Sequence, residues 1–87
     1  DNTNFTLSPN PNNGVFIYKI KRPKLGQIVI TNSLGIEVYN VRITERDSEV
    51  EVSITNCKSG IYYLYYSDND GKLLNVNKIS IQLISNY

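Results

Sequence analysis

Apolar and polar positions alternate with a period of two along most of this chain, and residues 49–67 show it best. There Val50, Val52 and Ile54 interleave with Glu49, Glu51 and Ser53, the pattern of a strand with one buried face. A turn through Asn56-Cys57-Lys58-Ser59-Gly60 leads into Ile61-Tyr62-Tyr63-Leu64-Tyr65-Tyr66, which no charge or turn-former interrupts. Such a run predicts a central strand covered on both faces, with the other strands wrapped around it.

The remaining elements follow in order. Phe5-Thr6-Leu7-Ser8 predicts a short first strand. It is ended by Pro9-Asn10-Pro11, because proline fixes φ and lacks an amide donor, and these prolines are expected to hold the segment extended. Asn12-Asn13-Gly14 is expected to supply the positive-φ residues of a tight turn. A second strand, Val15-Phe16-Ile17-Tyr18-Lys19-Ile20, puts Phe16, Tyr18 and Ile20 on one face. Gln27-Ile28-Val29-Ile30-Thr31 is rich in β-branched residues and predicts a third strand, which Asn32-Ser33-Leu34-Gly35 turns back.

In the fourth strand, residues 37–43, the phase changes near Asn40. Ile36 and Val38 share one face and Tyr39, Val41 and Ile43 the other, which predicts a bulge or an edge position. Glu45-Arg46-Asp47-Ser48 is a charged turn into strand five. The last strand, residues 73–83, sets Ile79, Ile81 and Leu83 against Lys78, Ser80 and Gln82. Nowhere do apolar residues recur with helical spacing. Seven short strands separated by turn signals at intervals of roughly 8–12 residues predict an all-β fold, an immunoglobulin-like antiparallel β-sandwich.

Composition narrows what such a sandwich can do. With 87 residues the chain is one small domain, large enough for a single thin core. Nine basic and eight acidic residues give a net charge of +1, no field to attract nucleic acid or an acidic membrane. No run has the length of a membrane span. Asp1-Asn2-Thr3-Asn4 lacks the basic start and apolar core of a signal peptide. The favoured reading is a piece of a longer precursor targeted by a sequence elsewhere, over a cytoplasmic chain.

Candidate chemistry is sparse. The carboxylates fall in turns or, like Glu49 and Glu51, alternate outward, so none forms an obvious acid–base pair. Absence of histidine and a single cysteine argue against the usual zinc sites. The glycines at 14, 26, 35, 60 and 71 are isolated, each expected to close a turn rather than cradle phosphate. No enzyme activity, metal or cofactor is expected. Cys57 has no histidine to activate it and is read as a buried structural thiol. The basic group Lys19, Lys21, Arg22 and Lys24 straddles Pro23 and reads as a solvated loop. Asp68-Asn69-Asp70-Gly71 lacks the alternate ligands and closing glutamate of a calcium loop and reads as a hairpin turn. Of the tyrosines at 62, 63, 65 and 66, alternation leaves at most two on an open face, so core packing is favoured over a sugar-binding platform. Asn4-Phe5-Thr6 matches a glycosylation acceptor, a match that chance readily supplies in a chain this rich in asparagine.

Four signatures stand in a fixed order. They are Ser8-Pro9-Asn10-Pro11-Asn12-Asn13-Gly14-Val15-Phe16, Asn32-Ser33-Leu34-Gly35-Ile36-Glu37-Val38-Tyr39, Ser59-Gly60-Ile61-Tyr62-Tyr63-Leu64, and Asp70-Gly71-Lys72 followed by Lys78-Ile79-Ser80-Ile81. Together they resemble the C-terminal sorting domain, type A, of the type IX secretion system of Bacteroidetes, from about residue 7 to residue 82. The chain departs from the pattern at Cys57-Lys58, where leucine and often proline or alanine are usual, and at residues 83–87, which run past the customary end.

The resemblance implies that residues 7–87 are the sorting domain and residues 1–6 the linker end and start of the first strand. It implies a cargo domain ahead of it in the same chain, exported through the periplasm and across the outer membrane to the cell surface or outside. The implied partners are the outer-membrane translocon and a sortase-like cysteine peptidase that removes the domain. Cargo is then joined to lipopolysaccharide or released. Under this reading Gly14, Gly35 and Gly60 set turns, Tyr62 is core, and Lys78 presents charge on the last strand. The expected translocon contact is the region near Lys78 together with the turn from Pro9, Asn10 and Pro11 to Gly14. The competing readings are a glycan-binding module using open-face tyrosines and an assembly module self-associating through edge strands. Nucleic acid is not an expected partner.

Overall fold

The computed structural model describes residues 4–83. Its seven strands are β1 Phe5–Ser8, β2 Val15–Ile20, β3 Gly26–Asn32, β4 Glu37–Ile43, β5 Glu49–Ser53, β6 Gly60–Asp68 and β7 Leu73–Ile81. They form two antiparallel sheets, β1-β2-β5 and β4-β3-β6-β7. No helix occurs among the described residues. β4 lies beside β3 instead of joining the smaller sheet, a strand order found in immunoglobulin-like sandwiches whose fourth strand sits on the sheet of strands three, six and seven.

The two inner faces supply the core. Phe16, Tyr18 and Ile20 of β2 and Val52 of β5 meet Ile28 and Ile30 of β3, Tyr62, Leu64 and Tyr66 of β6, and Ile79 and Ile81 of β7. Each set is one parity of its strand, so period-two alternation alone delivers the core. Between the sheets the rings of Tyr18 and Tyr66 pack edge to face with centroids 6.4 Å apart. Phe5 stacks on Tyr18 and meets Tyr66 edge-on. The buried hydroxyls are satisfied. Asn75 Nδ2 donates to Tyr18 at 2.7 Å, and the Tyr66 hydroxyl donates to the Lys24 carbonyl at 2.6 Å while accepting the Lys24 amide at 2.8 Å.

Several local expectations are corrected. β6 is interior to its sheet but covered on one face only: Tyr62, Leu64 and Tyr66 are buried, whereas Ile61, Tyr63 and Tyr65 are half-buried on the outer face. Their shielding comes from cross-strand neighbours, Thr31 and Lys78 beside Tyr63 and Val29 and Val76 beside Tyr65. Tyrosine, apolar in body and polar at its tip, tolerates that position.

The phase change in β4 lies at Val38, two residues before Asn40. Ile30 faces Tyr39 while Thr31 faces Glu37, so Val38 is the extra residue of a bulge on this edge strand. β3 begins at Gly26, which closes no turn. It lies in the sheet opposite Asp68, where a Cβ would stand 2.0 Å from the Ser67 carbonyl oxygen. β7 ends at Ile81, leaving Leu83 outside the strand and exposed. Cys57 is half-buried, not buried. The basic group of the β2–β3 region is exposed apart from half-buried Pro23, and residues 68–72 form the β6–β7 hairpin turn, as read.

Candidate functional site

The turn after β1 sits at the end of the sandwich where β2 and β6 begin and β5 and β7 finish. It also differs from its expectation. Pro9 and Pro11 end β1, but both preceding peptide bonds are cis and the segment is bent, not extended. It follows the first strand, so it does not stiffen an incoming linker. It carries the chain from the smaller sheet to the larger, where Asn12 makes a parallel bridge to Ile81.

Of the turn residues only Gly14 has positive φ, +101°. The asparagines act through their side chains, as this residue type does in turns. Asn12 is buried, donating from Nδ2 to the Pro9 carbonyl at 2.9 Å and accepting the Gly14 amide at 2.8 Å. Asn13 Oδ1 accepts the Val15 amide at 3.3 Å. The Gly14 carbonyl accepts the Ile54 amide at 2.9 Å, and the Cys57 thiol faces the Asn13 carbonyl at 3.9 Å. A Cβ on Gly14 would stand 2.7 Å from the Cys57 sulfur.

Asn10 bridges to the last strand. Its Nδ2 donates to the Lys78 carbonyl at 3.1 Å, and its Oδ1 accepts the Ser80 amide at 2.9 Å. Asn12 continues the seam, its amide donating to the Ser80 carbonyl at 3.0 Å and its carbonyl accepting the Gln82 amide at 2.8 Å. Proline cannot donate to a ladder, so at Lys78 and Ser80 an asparagine side chain supplies donor and acceptor instead. The Lys78 side chain is exposed, in register with Tyr63.

Gly60 opens β6 opposite Ile81, and two residues on, the Tyr62 hydroxyl bonds back to Lys58, accepting its amide at 3.0 Å and donating to its carbonyl at 2.8 Å. This is a tyrosine corner, in the place that the sixth strand of immunoglobulin-like sandwiches provides for it. The Leu83 amide donates to Ser59 Oγ at 2.9 Å. Between the β5–β6 connection and the β3–β4 turn runs an open groove of about 340 Å³. Leu34, Val38, Cys57 and Ile61 line it, and Lys58 is the charged residue there. Gly35 lies in the same β3–β4 turn, whose apex Leu34 is 81% exposed.

Pro9, Asn10, Pro11, Gly14, Gly60, Tyr62 and Lys78 thus come together at one end or its flank, with Gly35 across the groove. Sequence reasoning missed Asn12, Ser59, Ser80 and Gln82 as bonding partners. The available signal was two asparagines flanking Pro11, where a backbone poor in donors needs side-chain ones. Among the described residues no group of three or more acidic, cysteine or histidine side chains is placed to hold a metal. What this end offers a partner is a β7 edge already engaged by the Asn10 and Asn12 seam, an open groove, apolar tips and ammonium groups.

The fold is an immunoglobulin-like sandwich with most of its signature residues at one end and Asp70-Gly71-Lys72 in the β6–β7 turn at the other, where β1 enters. Residues 6–82 match the family described as the secretion system C-terminal sorting domain, and the chain belongs to that family. It is the C-terminal sorting signal for type IX secretion, a family of signal domains rather than catalysts. Membership implies cargo ahead of the domain in the same chain, handled by the type IX machinery and exported across the outer membrane to the cell surface or outside. It does not favour the glycan-binding and assembly readings. No curated protein and no solved structure matches the chain.

Proposed function

We propose that the type IX translocon recognises this domain at the end formed by the Pro9-to-Gly14 turn and β7 near Lys78, and that a sortase-like cysteine peptidase cuts ahead of it. Cargo then leaves joined to lipopolysaccharide or free. Residues 7–87 act as the signal, with residues 1–6 as linker end and start of the first strand.

The observation that carries this reading is the Asn10 bridge, which joins two of the four signatures across 68 and 70 positions of sequence. A second feature supports it. β1 enters at the opposite end, where Phe5 pairs with Ile20 and the Lys21 amide donates to the Asn4 carbonyl. A peptidase working upstream of Asn4 leaves the Pro9-to-Gly14 end open to the translocon.

The test fuses residues 1–87 behind a signal peptide and a fluorescent reporter in a Bacteroidetes host, then locates and weighs the reporter in wild-type and translocon-deficient strains. The expected result is reporter without the domain at the surface or in the medium, and uncut periplasmic fusion in the deficient strain. Intact periplasmic fusion in both strains would overturn the reading. Normal export of a folded Lys78→Ala domain would remove Lys78 from the contact.

A further inference from the structure

We propose that Asn10 is a positioning residue for sorting, whose carboxamide replaces a β-strand on the edge of β7 and fixes the backbone from Lys78 to Gln82 in the form the translocon reads. The inference rests on the reading that this stretch of β7 is the contact.

β7 is an edge strand, and its outward backbone groups have no neighbouring strand to pair with. At Leu73–Asn77 no backbone bond beyond the sheet is made. From the Lys78 carbonyl to the Gln82 amide four groups are engaged, two by the Asn10 side chain and two by the Asn12 backbone. A carboxamide suits the task because it is chemically a peptide group, one face donating and the other accepting. Aspartate in its place offers two acceptors to one donor and one carbonyl, so the Ser80 bond survives while the Lys78 carbonyl faces a carboxylate oxygen. Serine carries donor and acceptor on one oxygen of a shorter side chain, so it does not span the two groups as the carboxamide's separate nitrogen and oxygen do.

This arrangement makes the signal conditional. The arm before β2 and the last strand lie about 70 residues apart, so the seam exists only after both sheets have formed. A domain lacking the Pro9-to-Gly14 arm presents an edge with loose Ser80 and Gln82 amides, one lacking the last strand has no such edge, and by this inference neither is read.

The experiment compares Asn10→Asp, Asn10→Ser, Lys78→Ala and Val50→Ala in the full fusion and as isolated domains. Val50 lies half-buried in β5, on the other sheet, and serves as a control that loses stability without touching the seam. Three readouts are taken: thermal midpoint, amide exchange at Ser80 and Gln82, and exported reporter. We expect Asn10→Asp to fold with its Ser80 amide still bonded, and the carboxylate facing the Lys78 carbonyl to loosen the arm so that the Gln82 amide, held by the Asn12 carbonyl, exchanges about tenfold faster, roughly one neutral hydrogen bond's worth of protection. Export should fall severalfold, Asn10→Ser should lie between it and wild type, and Val50→Ala of similar midpoint should be exported normally.

The proposal is overturned if Asn10→Asp is exported at the wild-type level, if its Gln82 exchange is unchanged, or if Val50→Ala loses export equally. Should Asn10→Asp fail to fold, the same criteria apply to Asn10→Ser. Lys78→Ala separates the two ideas, since it keeps the carbonyl that Asn10 binds. Loss of export in Lys78→Ala with normal export of both Asn10 variants sinks this inference and keeps the contact reading; the reverse keeps the positioning role and removes the Lys78 side chain from the contact.

Discussion

Tyr62 and Lys58 are joined twice over one turn of chain, the phenol oxygen accepting the Lys58 amide at 3.0 Å and its hydroxyl donating to the Lys58 carbonyl at 2.8 Å. The pair fixes how the β5–β6 connection enters β6, and so where the groove wall and the Ser59 contact to Leu83 stand. Removing the hydroxyl with Tyr62→Phe keeps the ring in the core and loses both bonds. Because Lys58 is exposed, water takes over part of the loss, and the expected cost is about 1–2 kcal/mol. Urea unfolding of the isolated domain measures it, with a Tm lowered by roughly 5–10 °C for a domain of this size. An unchanged midpoint would show that the corner contributes nothing.

Tyr18 gives the fold an alkaline limit. Burial pushes its phenol up from 10.0 to about 12, opposed by the hydrogen bond from Asn75 and assisted by neighbouring Tyr66. The folded state therefore holds the proton more tightly than the unfolded chain. Its contribution is complete below pH 10 and drains away as pH rises toward 12, because there the unfolded phenol ionises and the folded one does not. Unfolding free energy followed across that window should fall less steeply in Tyr18→Phe than in wild type. Parallel curves would assign the alkaline loss to other groups.

Two glycines outwardly alike should lose stability to different degrees and for different reasons. Gly26→Ala drives a methyl to within 2.0 Å of the Ser67 carbonyl oxygen and 2.9 Å of Asp68 Cα, backbone atoms of the paired strand that cannot rotate away. The expected loss is about 3 kcal/mol. Gly35→Ala meets nothing within 4 Å, and its cost is confined to the positive φ of +83°, about 1–2 kcal/mol. Chemical denaturation of the two variants should rank them in that order.

Leu34 stands at the apex of the β3–β4 turn, and the turn does not let it collapse. Asn32 Oδ1 accepts the Leu34 amide at 2.9 Å and the Ile36 amide at 3.0 Å, while the Asn32 amide donates to the Ile36 carbonyl at 2.9 Å. Since the side chain is 81% exposed, Leu34→Ser should change stability by no more than about 0.5 kcal/mol. A matched export assay then reads the apex cleanly. Loss of export at wild-type stability would extend the recognition surface to this turn; normal export would confine it to the Pro9 and Lys78 side.

The sequence by itself determined the seven strands, their approximate limits and most of the core, because alternation of Phe16, Tyr18 and Ile20 or of Val50, Val52 and Ile54 has only one low-energy disposition on a half-buried strand. It also determined family membership, since four short signatures keep their order. Its alternation left open which tyrosines of β6 are buried, because Ile61, Tyr63 and Tyr65 are as apolar as Tyr62, Leu64 and Tyr66; the resemblance put Tyr62 in the core, and the packing of the second sheet is what physically breaks that tie. It could not tell that Gly26 lies in a strand against the Ser67 carbonyl, or that the Pro9-to-Asn12 segment bends onto β7. Those are contacts across some 40 to 70 positions, and local patterns carry no signal at that range. Closure of the two sheets decided them, by leaving the edge of β7 with unpaired amides that an asparagine between two prolines could reach.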